Sequence, residues 1–179
     1  APVTRPAPRL MKSIMEPRVS VLSAPLKMYR SHVLEQLSLN PETARKSERI
    51  FLARKEGSVR AYNQREVEQF LHGEGFTTYY LEDMDFKESV QLFTRAQVVV
   101  GPHGAGWANS LFCAAGTPSI LWTWEGEMED NWYENIAFVA GLRFHQLRVP
   151  SRSGQNTDLR AADYRLDVGL LADTLRNLM

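Results

Sequence analysis

The chain has 179 residues, of which 44% are hydrophobic and 23% are charged, and its 21 basic side chains balance 21 acidic ones. This length and composition predict one globular domain with a substantial core. A net charge of zero argues against a general nucleic-acid binder, and no apolar run approaches the ~18 residues of a membrane span.

The charges are unevenly distributed along the chain. Residues 1–60 carry 12 Lys and Arg against 5 Asp and Glu, so this third is basic by 7 and the remainder is acidic by 7. A basic edge in a neutral protein suits a small anionic ligand better than a polymer, or it is a docking face for a missing piece. The single cysteine, Cys113, excludes an internal disulfide and a cysteine-built zinc site. We expect a buried, unreactive thiol there.

Hydrophobic periodicity and turn residues predict alternating helices and strands. Residues 1–24 hold four prolines and are interpreted as a loose leader or a remnant of an upstream segment, with a short strand at 19–22. Residues 25–179 are predicted to form one domain. Its strands are predicted at 49–54, 76–81, 97–101, 118–123 and 143–149. Its helices are predicted at 25–39, 63–73, from 85 onward, after residue 106, at 131–140 and at 166–178, with a polar loop at 151–157.

Two of these helix starts carry residues typical of N-terminal caps. Asn63 is followed three residues later by Glu66, and Asp85 by Glu88, as in a capping box. The helix that follows Asp85 has an apolar stripe, and we expect this stripe to be buried. Its members are Phe86, Val90 and Phe93.

Strands that alternate with helices of this length are typical of a parallel sheet with helices on both faces, so we predict a Rossmann-like α/β fold. In such sheets, ligands bind beyond the carboxyl ends of the strands, where the strand order reverses. The loops at 54–62, 82–86, 101–106 and 123–130 all lie at that edge. We therefore expect the functional site there.

The stretch 98–109 reads Val-Val-Val-Gly-Pro-His-Gly-Ala-Gly-Trp-Ala-Asn and is predicted to be a buried strand, a tight loop and a helix. Glycines at such a junction let a backbone approach a ligand, and the first N–H groups of the helix favour anions. His103 is a hydrogen-bond donor or a proton carrier near neutral pH. The alternative is a plain turn in which Gly104 and Gly106 relieve strain.

Several motifs follow one another in a fixed order from about residue 49 to the end of the chain. They are Arg54 with Arg60-Ala61-Tyr62-Asn63, Gly75-Phe76, Phe86 with Gln91-Leu92-Phe93, the stretch 99–109, and Ala140-Gly141-Leu142-Arg143-Phe144. Together they resemble the carboxy-terminal half of family-61 glycosyltransferases. This family includes bacterial capsule-type enzymes, plant xylosyl- and arabinosyltransferases, and animal enzymes that add N-acetylglucosamine to protein glycans.

The resemblance implies the carboxy-terminal domain of a GT-B architecture, in which two Rossmann-like domains enclose the site. Residues 25–179 would then be the nucleotide-sugar-binding domain, and the amino-terminal acceptor domain is expected to be missing. The chain would be either a fragment or a minimal relative. Transfer in this family is inverting and needs no bound metal, so no cofactor is expected besides the UDP-sugar donor. A homo-oligomer is also possible, if the face that would meet the absent domain is buried against a second copy of the chain.

Arginine and the glycine loop are the elements expected to bind the donor. Arg54 and Arg60 are expected to bind the diphosphate, because a guanidinium pairs phosphate oxygens bidentately; a solvated basic loop is the alternative. His103 and the loop backbone would stabilise the charge on the leaving nucleotide, or His103 braces the turn. Asn109 either braces the loop or contacts the ligand. The predicted substrate-binding residues are Arg54, Arg60, Asn63, Gly101, His103, Gly104, Ala105, Gly106 and Asn109.

The sequence departs from the family pattern at one place. Family members usually carry an acidic residue at the end of the strand after the glycine stretch, whereas here the first carboxylate is the later Glu125. Glu125 either fills this role from the loop, or the donor pocket differs. His103 and Glu125 are the candidate general bases that would deprotonate the acceptor hydroxyl. Otherwise the base lies on the missing domain.

Three further groups of residues have a structural and a functional interpretation. Asp83-Met84-Asp85 matches the metal motif of the other glycosyltransferase fold, but we favour a cap role for Asp85. The acidic residues Glu125, Glu127, Glu129 and Asp130 are interpreted as a solvated loop before a helix. Trp122, Trp124 and Trp132 could stack on a uracil or a sugar, but we expect core or interface packing for at least two of them.

The sequence thus predicts the donor-binding domain of an inverting glycosyltransferase. It would transfer a sugar from a UDP-sugar, of the N-acetylglucosamine or xylose type, to a hydroxyl of a glycan or protein. The alternative is a non-catalytic nucleotide-binding or assembly domain. A dinucleotide site is disfavoured, because no Gly-x-Gly-x-x-Gly follows the first strand. The expected location is the cytoplasm in a bacterium and the lumen of the ER or Golgi in a eukaryote.

Overall fold

The computed structural model describes residues 23–55, 61–125, 132–150 and 164–179. The strands are β1 (Glu48–Leu52), β2 (Thr77–Tyr79), β3 (Ala96–Pro102), β4 (Pro118–Trp124) and β5 (Arg143–Val149). The α-helices are α1 (Ser23–Gln36), α2 (Gln64–Gly73), α3 (Phe86–Thr94), α4 (Trp132–Ala140) and α5 (Val168–Leu178). A 3-10 helix at Ala105–Phe112 joins β3 to β4, and a 3-10 turn at Leu81–Asp83 follows β2. In the described part of the chain, no helix is long and apolar enough to cross a membrane.

Several predictions concern residues outside these described ranges, and they stay predictions. They are the strand at 19–22, Arg60, the acidic residues Glu127, Glu129 and Asp130, and the loop at 151–157.

The strands form one all-parallel sheet in the order β2-β1-β3-β4-β5, which confirms the predicted Rossmann-like α/β class. The chain moves outward from β1 to β2, returns past β1 to β3, and then continues in the opposite direction to β5. The boundary between β1 and β3 is therefore the point where the strand order reverses. Here Ile50 lies beside Val99, and Phe51 beside Val100. In open α/β sheets, ligands bind outside the carboxyl ends of the strands at such a point.

Helices cover both faces of the sheet. Successive side chains of a strand point to opposite faces, so adjacent residues of β1, β3 and β4 belong to two separate cores. On one face, Phe51 and Val100 pack with Val67 of α2 and Leu171 of α5. These four side chains are fully buried (0% exposed), and each contributes about 2 kcal/mol through the hydrophobic effect.

The opposite face is covered by α1, α3, α4 and the 3-10 helix. Its core includes Val33, Ile50, Val90, Phe93, Val99, Trp107, Phe112, Cys113 and Leu121, with Tyr133 of α4 packed against them. Because both faces are covered, β1, β3 and β4 need apolar residues at consecutive positions rather than in alternation. This explains the unbroken apolar runs of these strands in the sequence.

Predictions from residues close together in the sequence are confirmed most fully. β5 begins and ends where it was predicted. The capping box of α3 is present: the Asp85 carboxylate accepts from the Glu88 N–H at 2.7 Å, and the Asp85 N–H donates to the Glu88 carboxylate at 2.9 Å. Val90 and Phe93 are buried as expected, but the prediction for Phe86 is wrong. Its side chain is 51% exposed and touches only the edge of the core, with its ring 6.0 Å from that of Phe112.

Several element ends differ from the prediction. β1 ends at Leu52 and β2 at Tyr79, both shorter than expected, because β2 is an edge strand that pairs with β1 alone. α1 ends at Gln36, and Ser38 just beyond it has a left-handed backbone with φ of 53°. The helix predicted after the glycine loop is present as a 3-10 helix.

Candidate functional site

The loops after β1 and β3 meet where the strand order reverses. The Arg54 guanidinium donates a hydrogen bond to the His103 carbonyl, so the side chain spans from one loop to the other. The His103 N–H donates to the Trp122 carbonyl at 2.7 Å, which extends the pairing of β3 with β4 by one residue. Arg54 and His103 are both partly exposed. Two residues predicted to bind the donor thus lie together at the carboxyl edge of the sheet.

The His103 imidazole is positioned by α4. Its ring centroid lies 4.8 Å from that of Tyr133, and the two planes meet at 74°. This edge-to-face geometry is favourable for aromatic pairs. The ring therefore stands between the glycine loop and the start of α4, at the same edge of the sheet.

Gly101 is required by packing within the sheet. It is buried in β3, and a Cβ atom there would lie 2.8 Å from Leu52 Cβ and 2.9 Å from the Leu52 carbonyl oxygen. Real Cβ atoms essentially never come so close, and the backbone of β1 cannot move aside cheaply. Packing within the sheet therefore explains why residue 101 is a glycine, without a ligand. The role of Gly101 in substrate binding stays a prediction.

Gly104 and Gly106 have different surroundings. Gly104 is extended, with φ of 174°, a conformation that any residue adopts, and a Cβ there would lie 3.8 Å from a terminal nitrogen of Arg54. A Cβ on Gly106 would meet the tip of the flexible Leu81 side chain at 2.9 Å. Neither glycine has the left-handed backbone that favours glycine, so relief of backbone strain does not explain either of them. Within the described residues, nothing requires glycine at position 104.

The 3-10 helix is fixed by hydrogen bonds that span three residues. The Trp107 N–H donates to the Gly104 carbonyl at 3.1 Å, and the Ser110 hydroxyl donates to the Trp107 carbonyl at 2.7 Å. The indole N–H of Trp107 donates to the Pro102 carbonyl at 2.9 Å, so the helix folds back onto the end of β3. The Asn109 amide donates to the Gly106 carbonyl at 3.3 Å, which is the bracing role among its two predicted alternatives.

The start of this helix presents backbone N–H groups to the same edge. The first N–H groups of any helix have no acceptor within it, and those of Ala105 and Gly106 precede the first bond of the ladder. Ala105 is exposed and Gly106 is partly exposed. Gly104, which precedes them, lies next to Arg54, because a Cβ there would be 3.8 Å from a terminal nitrogen of that side chain.

Asn63 connects two distant parts of the chain. Its amide oxygen accepts from the Leu166 N–H at 2.9 Å, and its amide nitrogen donates to the Leu166 carbonyl at 3.0 Å. The amide also contacts the Glu66 carboxylate at 2.8 Å. The expected side-chain cap of α2 is therefore absent, because the oxygen that would cap the helix is used by Leu166. Whether Asn63 also binds substrate stays a prediction.

Sequence reasoning missed Gln64, the next residue. Its amide makes two hydrogen bonds with the backbone of Arg54: the oxygen accepts from the N–H at 2.9 Å, and the nitrogen donates to the carbonyl at 2.8 Å. A glutamine at the first position of a helix carries no distinctive sequence signal. The contact spans ten residues and depends on how the loop after β1 returns to α2.

Glu125 lies at the same edge, beyond the end of β4. It is exposed, and its N–H donates to the Val149 carbonyl of β5 at 2.9 Å. The residue is therefore one strand farther from Arg54 than the glycine loop. Its role as a general base stays a prediction, as does the phosphate-binding role of Arg60.

Both carboxylates of the Asp-x-Asp motif have other partners. Asp83 forms an exposed ion pair with Lys55, and its hydrogen bond is the main cause that raises the pKa of Lys55. Asp85 caps α3. Across the residues that the structure describes, no group of three or more His, Cys, Asp or Glu side chains is placed to hold a metal ion.

Two of the three tryptophans belong to the core, as expected. Trp122 is 0% and Trp124 7% exposed, whereas Trp132 is 58% exposed. Tyr62 packs against the edge of Trp122 and stacks on Tyr164, with ring centroids 5.5 Å apart and planes 5° from parallel. Burial raises the pKa of Tyr62 well above its ordinary value. This aromatic cluster fixes the chain where it enters α2, next to the loop that carries Arg54.

Comparisons with known proteins give one functional and one structural result. No curated protein matches this sequence. The lysine decarboxylase LdcF of Francisella novicida has a similar solved structure, with 14% sequence identity and a TM-score of 0.43, over 72% of this chain and 17% of that one. The chain thus spans less than a fifth of that protein, and the likeness carries no functional argument.

A family model described as Glycosyltransferase 61 matches residues 7–120, more than half of the chain. The matched region includes Arg54, Arg60 and the glycine stretch, and it ends before Glu125. It starts earlier and ends earlier than the motifs noted in the sequence. The chain belongs to the glycosyltransferase 61 family.

Proposed function

We propose that this chain is the donor-binding domain of an inverting glycosyltransferase that uses a UDP-sugar of the N-acetylglucosamine or xylose type. The acceptor would be a hydroxyl group of a glycan or a protein. The observation that carries the proposal is the contact of Arg54 with the glycine loop, across the point where the strand order reverses. Such a crevice is where open α/β sheets bind their ligands.

The groups at this edge suit a diphosphate. Arg54 supplies a permanently charged, planar donor for phosphate oxygens. The N–H groups that begin the 3-10 helix, those of Ala105 and Gly106, add neutral donors without a long side chain in the way. Gly104 lies between them and Arg54, and it leaves room for a phosphate to approach the backbone.

The proposed reaction breaks one bond and forms one. The acceptor oxygen attacks the anomeric carbon of the donor, the bond from that carbon to the β-phosphate oxygen breaks, and UDP leaves with the added negative charge. Arg54 and the loop N–H groups would stabilise this charge as it develops. The proton of the acceptor hydroxyl would pass to a general base, for which His103 and Glu125 are the candidates on this chain.

The proposal includes an acceptor domain on another segment or chain, as in two-domain enzymes of the GT-B type. The carboxyl edge of the sheet would then face that domain. No metal cofactor enters the proposal, in which the positive charge comes from arginine and further hydrogen bonds come from the backbone N–H groups. The proposed location is the cytoplasm for a bacterial protein and the ER or Golgi lumen for a eukaryotic one.

Calorimetric titration of the full chain with UDP, NAD and ATP tests the donor assignment. We expect UDP to bind best, and Arg54→Ala to weaken its binding about tenfold or more, as expected for a lost charge-assisted hydrogen bond. His103→Ala should weaken it less. Matched controls are Arg45→Ala and His32→Ala, two exposed residues away from this edge, which should bind UDP as the unchanged chain does.

Two outcomes would contradict the proposal in different ways. If UDP gives no heat, or if Arg54→Ala and His103→Ala leave binding unchanged, the donor site is elsewhere or absent. If the isolated chain turns over a UDP-sugar with an acceptor, the idea that an acceptor domain is missing fails. Binding of UDP together with inactivity of a complete two-domain protein would favour the non-catalytic alternative.

A further inference from the structure

Gln64 gives Arg54 a backbone partner beyond the end of the sheet. β1 ends at Leu52, and the last sheet-like bond of this segment runs from the Ala53 N–H to the Tyr79 carbonyl at 3.0 Å. At Arg54, the side-chain amide of Gln64 forms the hydrogen bonds to the backbone. It accepts from the N–H at 2.9 Å and donates to the carbonyl at 2.8 Å, as a neighbouring strand would.

The two ends of the Arg54–His103 contact are therefore held by different means. The backbone of His103 is fixed by a main-chain bond to β4, at 2.7 Å. The backbone of Arg54 is fixed by a side chain, that of Gln64. The Arg54 side chain has about 2 kcal/mol of rotamer entropy. Its bond to the His103 carbonyl restricts these rotamers, and the bonds to Gln64 fix the backbone from which the side chain extends. Gln64 is an anchor in this arrangement that a substitution can remove.

We propose that Gln64 is a positioning residue for the donor diphosphate, acting through Arg54. The inference rests on the proposed function, since it assumes that Arg54 binds phosphate. Gln64 itself does not contact the ligand in this proposal. It holds the Arg54 backbone so that the guanidinium lies next to the glycine loop before the ligand arrives. This reduces the entropy that the side chain loses when the ligand binds.

The direct test is a double-mutant cycle on UDP binding by the full chain. Gln64→Met keeps the length of the side chain but removes both hydrogen bonds, and it should weaken UDP binding about fivefold to tenfold. In the Arg54→Ala background, the same change should have no further effect, because the residue through which it acts is gone. Gln69→Met is the matched control, an exposed glutamine on the same helix, and it should bind as the unchanged chain does.

A second variant keeps the test informative if Gln64→Met folds poorly. Gln64→Leu also removes both hydrogen bonds and adds no charge near the diphosphate, so its affinity for UDP should match that of Gln64→Met. Thermal unfolding of each variant without ligand measures any loss of stability separately. A purely structural role would lower the melting temperature without coupling to Arg54.

The outcomes separate this inference from the proposed function. If Arg54→Ala weakens UDP binding but Gln64→Met behaves like Gln69→Met, the inference is wrong and the donor site stands. If Gln64→Met weakens binding equally with and without Arg54, the residue does not act through Arg54, and the inference is again wrong. If the unchanged chain does not bind UDP, the proposed function fails and this inference fails with it.

Discussion

The stretch 98–109 has two halves whose residues are explained in different ways. In the strand half, neighbouring groups of the same chain account for the residue type: Gly101 lies against the backbone of β1, and Val99 and Val100 fill opposite cores. In the loop half, Gly104 has an ordinary extended backbone, and a side chain there would meet no close neighbour. The first half is determined by packing. In the second half, Gly104 is the position at which a requirement from outside the chain, such as a ligand, would act.

The largest effect should come from Gly101→Ala, in the packed half. The new Cβ would lie 2.8 Å from Leu52 Cβ and 2.9 Å from the Leu52 carbonyl oxygen, so β1 and β3 would have to separate. We expect a loss of about 3 kcal/mol in the free energy of unfolding, typical of an overpacked core. Urea denaturation measures this value. A loss below about 0.5 kcal/mol would mean that the two strands separate easily, against the close packing of this half.

Gly104→Ala tests the loop half and should act on binding, not on stability. The free energy of unfolding should change by less than about 0.5 kcal/mol, whereas UDP should bind about tenfold more weakly because the methyl group occupies the path of the phosphate. Gly73→Ala is the control: a Cβ there has nothing within 4 Å, and UDP binding should be unchanged. Unchanged UDP binding by Gly104→Ala would show that no ligand needs this space.

Cys113, at the packed end of the 3-10 helix, should also make the free energy of unfolding depend on pH. This is the smallest of the predicted effects. Burial raises the pKa of the Cys113 thiol from 9.0 to about 12. In the unfolded chain the thiol ionises near pH 9, so its contribution to stability is complete below that pH and is lost as the pH rises toward 12. By pH 10 the free energy of unfolding should have fallen by about 1 kcal/mol from this group.

Cys113→Ala isolates this contribution. Burial and a hydrogen bond to Glu48 raise the pKa of Tyr79 to about 12. This tyrosine therefore also lowers the stability at high pH, but it does so equally in the unchanged chain and in Cys113→Ala. The measurement is therefore the difference in slope between the two chains from pH 8 to 10, by urea denaturation. Identical slopes would mean that the thiol is accessible to water in the folded protein.

Prediction from the sequence succeeded where the deciding contacts lie within a few residues. The capping box of Asp85 and Glu88 spans three residues, and it formed as expected. The bounds of β5 follow from a short run of residues between Gly141, which ends α4, and Pro150. The exposed position of Phe86 was missed, because its spacing with Val90 and Phe93 fits the buried stripe. Phe86 is the first residue of α3 and is half exposed, and the sequence pattern does not show where along a helix the burial begins.

Other features could not be predicted because they join distant residues. The side chain of Asn63 has the local signal of a cap, but 103 residues separate it from Leu166, whose backbone it binds instead. The 3-10 geometry after the glycine loop depends on the indole bond from Trp107 to Pro102 and on close packing with α3 and α4. Neither signal lies within one helical turn.

The sequence by itself determined the class of the fold, the order of the elements and the stretch that carries the proposed donor site. Apolar periodicity and turn residues act locally, so they can be recognised without a structure. Only the tertiary structure decided the strand order, and with it the meeting of Arg54 and His103 where that order reverses. It also decided that Gln64 holds Arg54, because two residues ten positions apart meet only in the folded chain.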